Sequence, residues 1–167
     1  MKIEAFNKQE GNIIRQQLFN CCGCSSWVNT MMHQLPFQSL EDAADKANRA
    51  WKNTTENDWK EAFTHHPRIG DLNSLKEKFA STIHHTAEEQ GKVMHAAEDT
   101  LINLQNYNDE YFNKFGFIFI ICATGKTAEE MLEEISKRIN NDPVIEIKIA
   151  AEEQHKIMHL RLLKLFS

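Results

Sequence analysis

Residues that break or bend a chain are scarce in this sequence. It has six Gly and three Pro among 167 residues, where average usage would give about twenty. That shortage excludes a many-turned β-sandwich or barrel, which needs such residues at every corner. Long apolar runs are also missing: none approaches the roughly 18 residues that span a bilayer, so a soluble protein is expected. Basic charge is short as well. Net charge is −5 and no Lys/Arg cluster exceeds two residues, which argues against a nucleic-acid partner. The stretch Met1-Lys2-Ile3-Glu4-Ala5-Phe6-Asn7 lacks the apolar run of a signal peptide, and Leu165-Phe166-Ser167 is no peroxisomal address; a cytoplasmic location is the expectation. Nucleophile-elbow, P-loop and dinucleotide motifs are all absent. Cysteine is present at 21, 22, 24 and 122, but Cys21-Cys22-Gly23-Cys24 has no second pair at zinc-finger spacing. These cysteines read as small apolar fillers in a reducing compartment.

What the sequence has in quantity is helical period. No repeat, linker or low-complexity tract divides residues 1–167, and the pattern predicts an all-α, single-domain bundle of about seven to nine helices. Ile13, Ile14, Gln17, Leu18 and Cys21 mark a first helix; Trp27, Val28, Met31, Met32 and Leu35 mark a second ending at Pro36. Ser39 with Asp42, and Thr55 with Asp58, look like caps for a third helix (Leu40, Ala43, Ala44, Ala47, Ala50, Trp51) and a fourth (Trp59, Ala62, Phe63). A short helix follows around Leu75 to Phe79. A long one runs from near Thr82 to about Tyr111, with Thr86, Gln90, Val93, Ala97, Thr100, Leu104, Tyr107 and Tyr111 inward. Phe115 to Ala123 is a buried central segment, part extended and part helical. Thr127 with Glu130 launches a helix carrying Met131, Leu132, Ile135 and Ile139. Pro143 sits near the first position of the last helix, which runs to about Phe166.

Three polar features fall where this pattern asks for apolar residues. Extending the fourth helix's inner face reaches His66, which Pro67 pushes out of the α region, so the histidine ends a helix with its side chain near the core. Thr86 and Gln90 lie on the long helix's inner stripe with Glu89 beside them. Arg161 falls in line with Ile147, Ala151, Gln154, Met158 and Leu165; it either snorkels to a carbonyl or meets an anion. Singly, each has a plain structural explanation: a helix-end cap, a solvent-facing acid, a stem laid over the core. Together they supply an acid/base histidine, a carboxylate, an amide and a cation. Eight histidines raise a metal-binding helical module as a rival, but Glu152-Glu153-Gln154-His155 is the single Glu-x-x-His motif. His84-His85 with Glu88 makes only a partial set, because adjacent helical residues point about 100° apart. A redox role for Cys21 and Cys24 is a further alternative.

The residues that carry these features resemble a known family. His66-Pro67-Arg68-Ile69-Gly70-Asp71 is followed by Thr86-Ala87-Glu88-Glu89-Gln90-Gly91. With Cys22-Gly23-Cys24-Ser25-Ser26-Trp27, Tyr111-Phe112-Asn113-Lys114-Phe115-Gly116-Phe117-Ile118-Phe119-Ile120, Arg138-Ile139-Asn140-Asn141 and the ending His155 to Leu162, the order resembles 2-oxo-4-hydroxy-4-carboxy-5-ureidoimidazoline (OHCU) decarboxylases over nearly the whole chain. The resemblance implies an all-helical homodimer that needs neither metal nor organic cofactor. It implies His66 as the proton-transfer histidine, Pro67 as its substrate-contacting neighbour, and Thr86, Ala87, Glu88 and Gln90 as the substrate-binding turn, with Glu89 supporting the histidine. Phe119, Ile120, Ile121, Cys122 and Ala123 match the segment whose backbone contacts the ligand, and Arg161 the arginine paired with the substrate. One departure stands out: His85-Thr86 replaces the family's usual Trp-Ser, which keeps a hydroxyl and loses an aromatic wall.

The implied reaction suits a cofactor-free site. In the substrate the carbon that loses CO₂ carries a hydroxyl and adjoins a ring C=N able to accept the electron pair left behind. The protein then has to orient the carboxylate, handle charge and deliver a proton to one face. The implied product is (S)-allantoin.

Overall fold

The computed structural model describes residues 1–66 and the backbone of 87–167, with side chains from 98 onward. Among the described residues there are eight helices and no strand: α1 (Ile3–Asn7), α2 (Gly11–Cys22), α3 (Ser25–His33), α4 (Leu40–Lys52), α5 (Glu56–Thr64), α6 (Ala87–Phe115), α7 (Ala128–Arg138) and α8 (Pro143–Phe166). None of them is long and apolar enough to cross a membrane. The contacts gather into two compact units, Met1–His66 with Ile147–Ser167, and Pro67–Glu146.

The first unit is held by residues whose spacing marks helices in the sequence. Ile14, Leu18 and Cys21 of α2 are buried, while Ile13 of the expected stripe is exposed. Its C-terminus is closed by Gly23 at φ +70°, whose N–H bonds the Phe19 carbonyl at 2.7 Å; the left-handed conformation suits glycine because it has no Cβ to clash. Trp27 is wholly buried on α3, and its indole N–H donates to the Ala47 carbonyl of α4 at 3.0 Å. A large ring can be buried this way because its one polar atom is satisfied. Ser39 Oγ accepts from the Asp42 N–H at 3.1 Å, and the Thr55 N–H and hydroxyl both donate to the Asp58 carboxylate at 2.8 Å, so both expected caps form. The short α1 falls outside the stripes read from sequence; it places Phe6 against the rings of Phe37 and Phe166.

In the second unit α6 packs against α7. The long helix runs four residues beyond its expected end, to Phe115, where Gly116 closes it at φ +77°. Asn108 is buried beside Leu101, Leu104 and Tyr111 on its inner face. Residues 117–123 are neither helix nor strand. The part-helical half of that expectation is therefore corrected: Gly116 stops the helix, and Phe117, Phe119, Ile120 and Ile121 are buried as irregular chain. The Tyr111 ring meets Phe115, Phe117 and Phe119 at centroid distances of 4.6, 5.8 and 5.2 Å. The Thr127/Glu130 box starts α7 with reciprocal bonds of 2.8 and 3.2 Å, and Pro143 is the first residue of α8. The short helix expected around Leu75 to Phe79 and the start of the long one lie outside the described residues.

Candidate functional site

His66 stands just past the end of α5, its N–H bonded to the Phe63 carbonyl at 3.3 Å. The side chain is half-buried, and its Nε2 is hydrogen-bonded to Oε1 of Gln154, a wholly buried residue of α8. The other end of that amide is fixed too, because Gln154 Nε2 donates to the Cys22 carbonyl at 3.2 Å. Burial holds His66 below the usual histidine pKa; the Gln154 bond opposes this, while the Arg161 and His65 charges act with it. Arg161, about two turns further along the same face of α8, is half-buried and donates from Nη1 to the Asn20 carbonyl at 3.3 Å. Its cation also reaches Cys21, whose thiol burial pushes up to about 11. Thus the helix-end histidine and the out-of-pattern arginine share one electrostatic neighbourhood, and Arg161 takes a carbonyl as the snorkelling alternative expects. Gly23 is tight against this place: a Cβ there would lie 2.8 Å from His65 Cβ.

The second unit holds a polar centre that periodicity does not announce. Glu146, wholly buried, accepts from the Tyr111 hydroxyl at 2.5 Å, Arg138 Nε at 2.8 Å and Asn141 Nδ2 at 2.8 Å, with Arg138 Nη2 2.7 Å away. Arg138 Nη1 donates to the Ile120 carbonyl at 2.8 Å, and the guanidinium lies over the Phe119 ring at 4.5 Å. Burial, then the bond to Glu146, pushes the Tyr111 pKa well up, so the phenol stays protonated and donates. The segment Phe119 to Ala123 is therefore tied to Arg138 through the Ile120 carbonyl and the Phe119 ring. Phe119, Ile120 and Ile121 are buried, and Cys122 and Ala123 half-buried.

The other expected site residues divide by position. Ala87, Glu88, Glu89 and Gln90 are helical residues of α6, with their side chains outside the described set. Pro67 and Thr86 lie outside the described residues altogether, as do His84 and His85. For the metal alternative, His155 is committed to Asn48 Oδ1 at 2.8 Å and stacks on Trp51. Among the described residues, ligand atoms of Cys24, Asp58 and Glu61 lie within 4.8 Å of one another. All three already serve as helix caps: Cys24 Sγ accepts from the Trp27 N–H, Asp58 from Thr55, and Glu61 from the Ser25 N–H and hydroxyl. Cys21, Cys22 and Cys24 are buried free thiols. Gln154, Arg138 and Glu146 are not among the candidate residues that the sequence singles out. Gln154 did carry a signal, since it occupies the same inner stripe that singled out Arg161.

Fold and site together define an all-α protein in which a helix-end histidine is hydrogen-bonded to a buried amide and feels the charge of an arginine. The chain belongs to the OHCU decarboxylase family, whose pattern matches residues 7–163. It is 40% identical to the uric acid degradation bifunctional protein TTL of Arabidopsis thaliana over 148 residues, 88% of this chain and 45% of that protein. It is 37% identical to the 2-oxo-4-hydroxy-4-carboxy-5-ureidoimidazoline decarboxylase of Amia calva over 82 residues, 46% of this chain and 47% of that one. The chain thus spans about half the length, or less, of the curated relatives it matches. A crystal structure of an OHCU decarboxylase in the presence of (S)-allantoin superposes with a TM-score of 0.73 at 36% identity, covering 95% of this chain and 99% of that one. An (S)-allantoin synthase shares the fold with a TM-score of 0.70 at 18% identity, over 98% of this chain and 54% of that one.

Proposed function

We propose that this chain is a carboxy-lyase that converts 2-oxo-4-hydroxy-4-carboxy-5-ureidoimidazoline to (S)-allantoin during uric acid degradation, acting in the cytoplasm as a homodimer of one decarboxylase domain. The family match over residues 7–163 supports the activity. The observation that carries it is His66 itself, a base held by a buried amide, with the Arg161 charge acting on it along with burial. A cation suits a carboxylate substrate, and a histidine of lowered pKa is neutral near pH 7, free to take a proton or pass one on. When the C–C bond to CO₂ breaks, the electron pair moves into the adjacent ring C=N, and the carbanion equivalent is then protonated on one face. His66 supplies the proton handling. The roles of Glu89, Gln90, Pro67, Thr86, Ala87 and Glu88, and of the Phe119–Ala123 backbone, are proposed on the motif match alone.

Circular dichroism during conversion of freshly generated OHCU tests this reading, because it follows rate and handedness together. His66→Ala should keep the helical spectrum and lower turnover by about 10² to 10⁴, the scale for losing general acid/base help. Wild-type protein that yields racemic allantoin at the unaided rate would refute the activity. A His66→Ala variant with normal (S)-allantoin formation would refute the residue's role.

A further inference from the structure

We propose that Gln154 is a positioning residue that fixes which nitrogen of His66 exchanges the proton, leaving Nδ1 as the working atom. Cys22 decides which way the amide faces. Its backbone carbonyl can only accept, so the Gln154 group 3.2 Å from it must be the amide NH₂. The amide is wholly buried, and flipping it would set two oxygens face to face at that distance. Gln154 Oε1 is thereby turned to His66, and since an amide oxygen can only accept, His66 Nε2 must carry the hydrogen. Neutral His66 is held as the Nε2–H tautomer with the lone pair on Nδ1.

This arrangement does more than orient the ring. Proton uptake at Nδ1 leaves the Nε2–H bond to Gln154 and the Gln154 bond to Cys22 in place, so His66 can load and release a proton with no buried partner lost. Among the described residues, the charged or titratable groups that act on His66 are Arg161 of α8 and its neighbour His65, and both disfavour the cation. Against them Gln154 is the group that supports it. The inference rests on the proposed role of His66 in the reaction, so the test separates the two.

The experiment uses the full chain with ¹⁵N-labelled histidine, in wild type, Gln154→Leu and Gln154→Glu, each checked for helical content. Nitrogen shifts report the His66 tautomer and its titration, with His66→Gln giving the assignment. Wild type should show the Nε2–H tautomer throughout the neutral range. Gln154→Leu should give a tautomer mixture and a lower His66 pKa. Gln154→Glu, of equal size, should raise it by about one pH unit or more, since a carboxylate beside the ring favours the cation. The acid limb of the kcat/KM profile should move in the same order. An Nδ1–H tautomer in wild type, or a His66 pKa that both variants leave unmoved, overturns the proposal whatever happens to activity. A pKa that moves as expected while the rate profile stays still keeps the positioning role and removes His66 from the reaction. Should the leucine variant fail to fold, the isosteric glutamate decides.

Discussion

Replacing Glu146 by Gln changes almost no volume and removes one charge, which makes it the sharpest probe of the buried network in the second unit. The carboxylate faces three donor groups, from Tyr111, Arg138 and Asn141, at 2.5 to 2.8 Å. A glutamine offers one acceptor atom. If that oxygen turns to Tyr111 and Arg138, its NH₂ meets the NH₂ of Asn141; if it turns the other way, the NH₂ meets the guanidinium. In both cases Arg138, 6% exposed, keeps its charge without a counter-ion. Removing one partner of a buried pair costs about 3–5 kcal/mol, against a total stability of about 5–15 kcal/mol for a domain. Glu146→Gln should lose that much in urea unfolding. The transition is best followed by far-ultraviolet circular dichroism, because all three tryptophans, Trp27, Trp51 and Trp59, lie in residues 1–66. Protein concentration must be held fixed, since any self-association would add to apparent stability. Adding Arg138→Met removes the stranded cation but leaves the Ile120 carbonyl unpaired. The double variant should therefore recover part of the loss, with a coupling between the two sites of about 0.5–3 kcal/mol. A loss below about 1 kcal/mol for Glu146→Gln, the range of an exposed pair, would refute the reasoning and mean that the network is solvated.

Other outcomes follow from single residues. Gly23→Ala places a methyl at φ +70° and 2.8 Å from His65 Cβ, so it should cost about 1 kcal/mol or more in unfolding and reduce turnover by displacing the His65-His66 turn. Trp27→Ala empties the middle of the first unit and should cost about 3–5 kcal/mol, read from the urea midpoint. For pH dependence, burial lowers the folded pKa of His66 and His155. Below about 6.5 the unfolded chain then binds protons that the folded one resists. Stability should fall as pH drops through that value toward the folded pKa values, and His155→Gln should flatten the slope in a pH series of unfolding curves.

How much of this was legible in the sequence depended on whether a residue's environment is set by its own helix. Ala43, Ala47, Ala50 and Trp51 recur at helical spacing and all are buried on α4; Ser39, Thr55 and Thr127 act within three residues of themselves, and each forms its cap. His66 was legible for the same local reason, because a stripe extended by one step meets Pro67. The Phe115–Ala123 segment was half legible: composition marked it as buried, but the stop at Gly116 depends on a left-handed residue, and its shape on Arg138 bonding Ile120 from eighteen positions away. Arg138 and Glu146 were not legible as a pair. An arginine at the end of α7 and an acid in the first turn of α8 are what helix dipoles favour on a solvated surface, and only tertiary packing brings both under 10% exposure. Gln154 lies between these cases. Its stripe position was visible and Arg161, seven residues on, drew notice because a buried charge demands a partner, whereas an amide can satisfy itself silently. Its partners, Cys22 and His66, come from two other helix ends far away in sequence. A neutral polar residue on an apolar stripe therefore deserves the same question as a charged one, since what it anchors is decided by the elements packed against it.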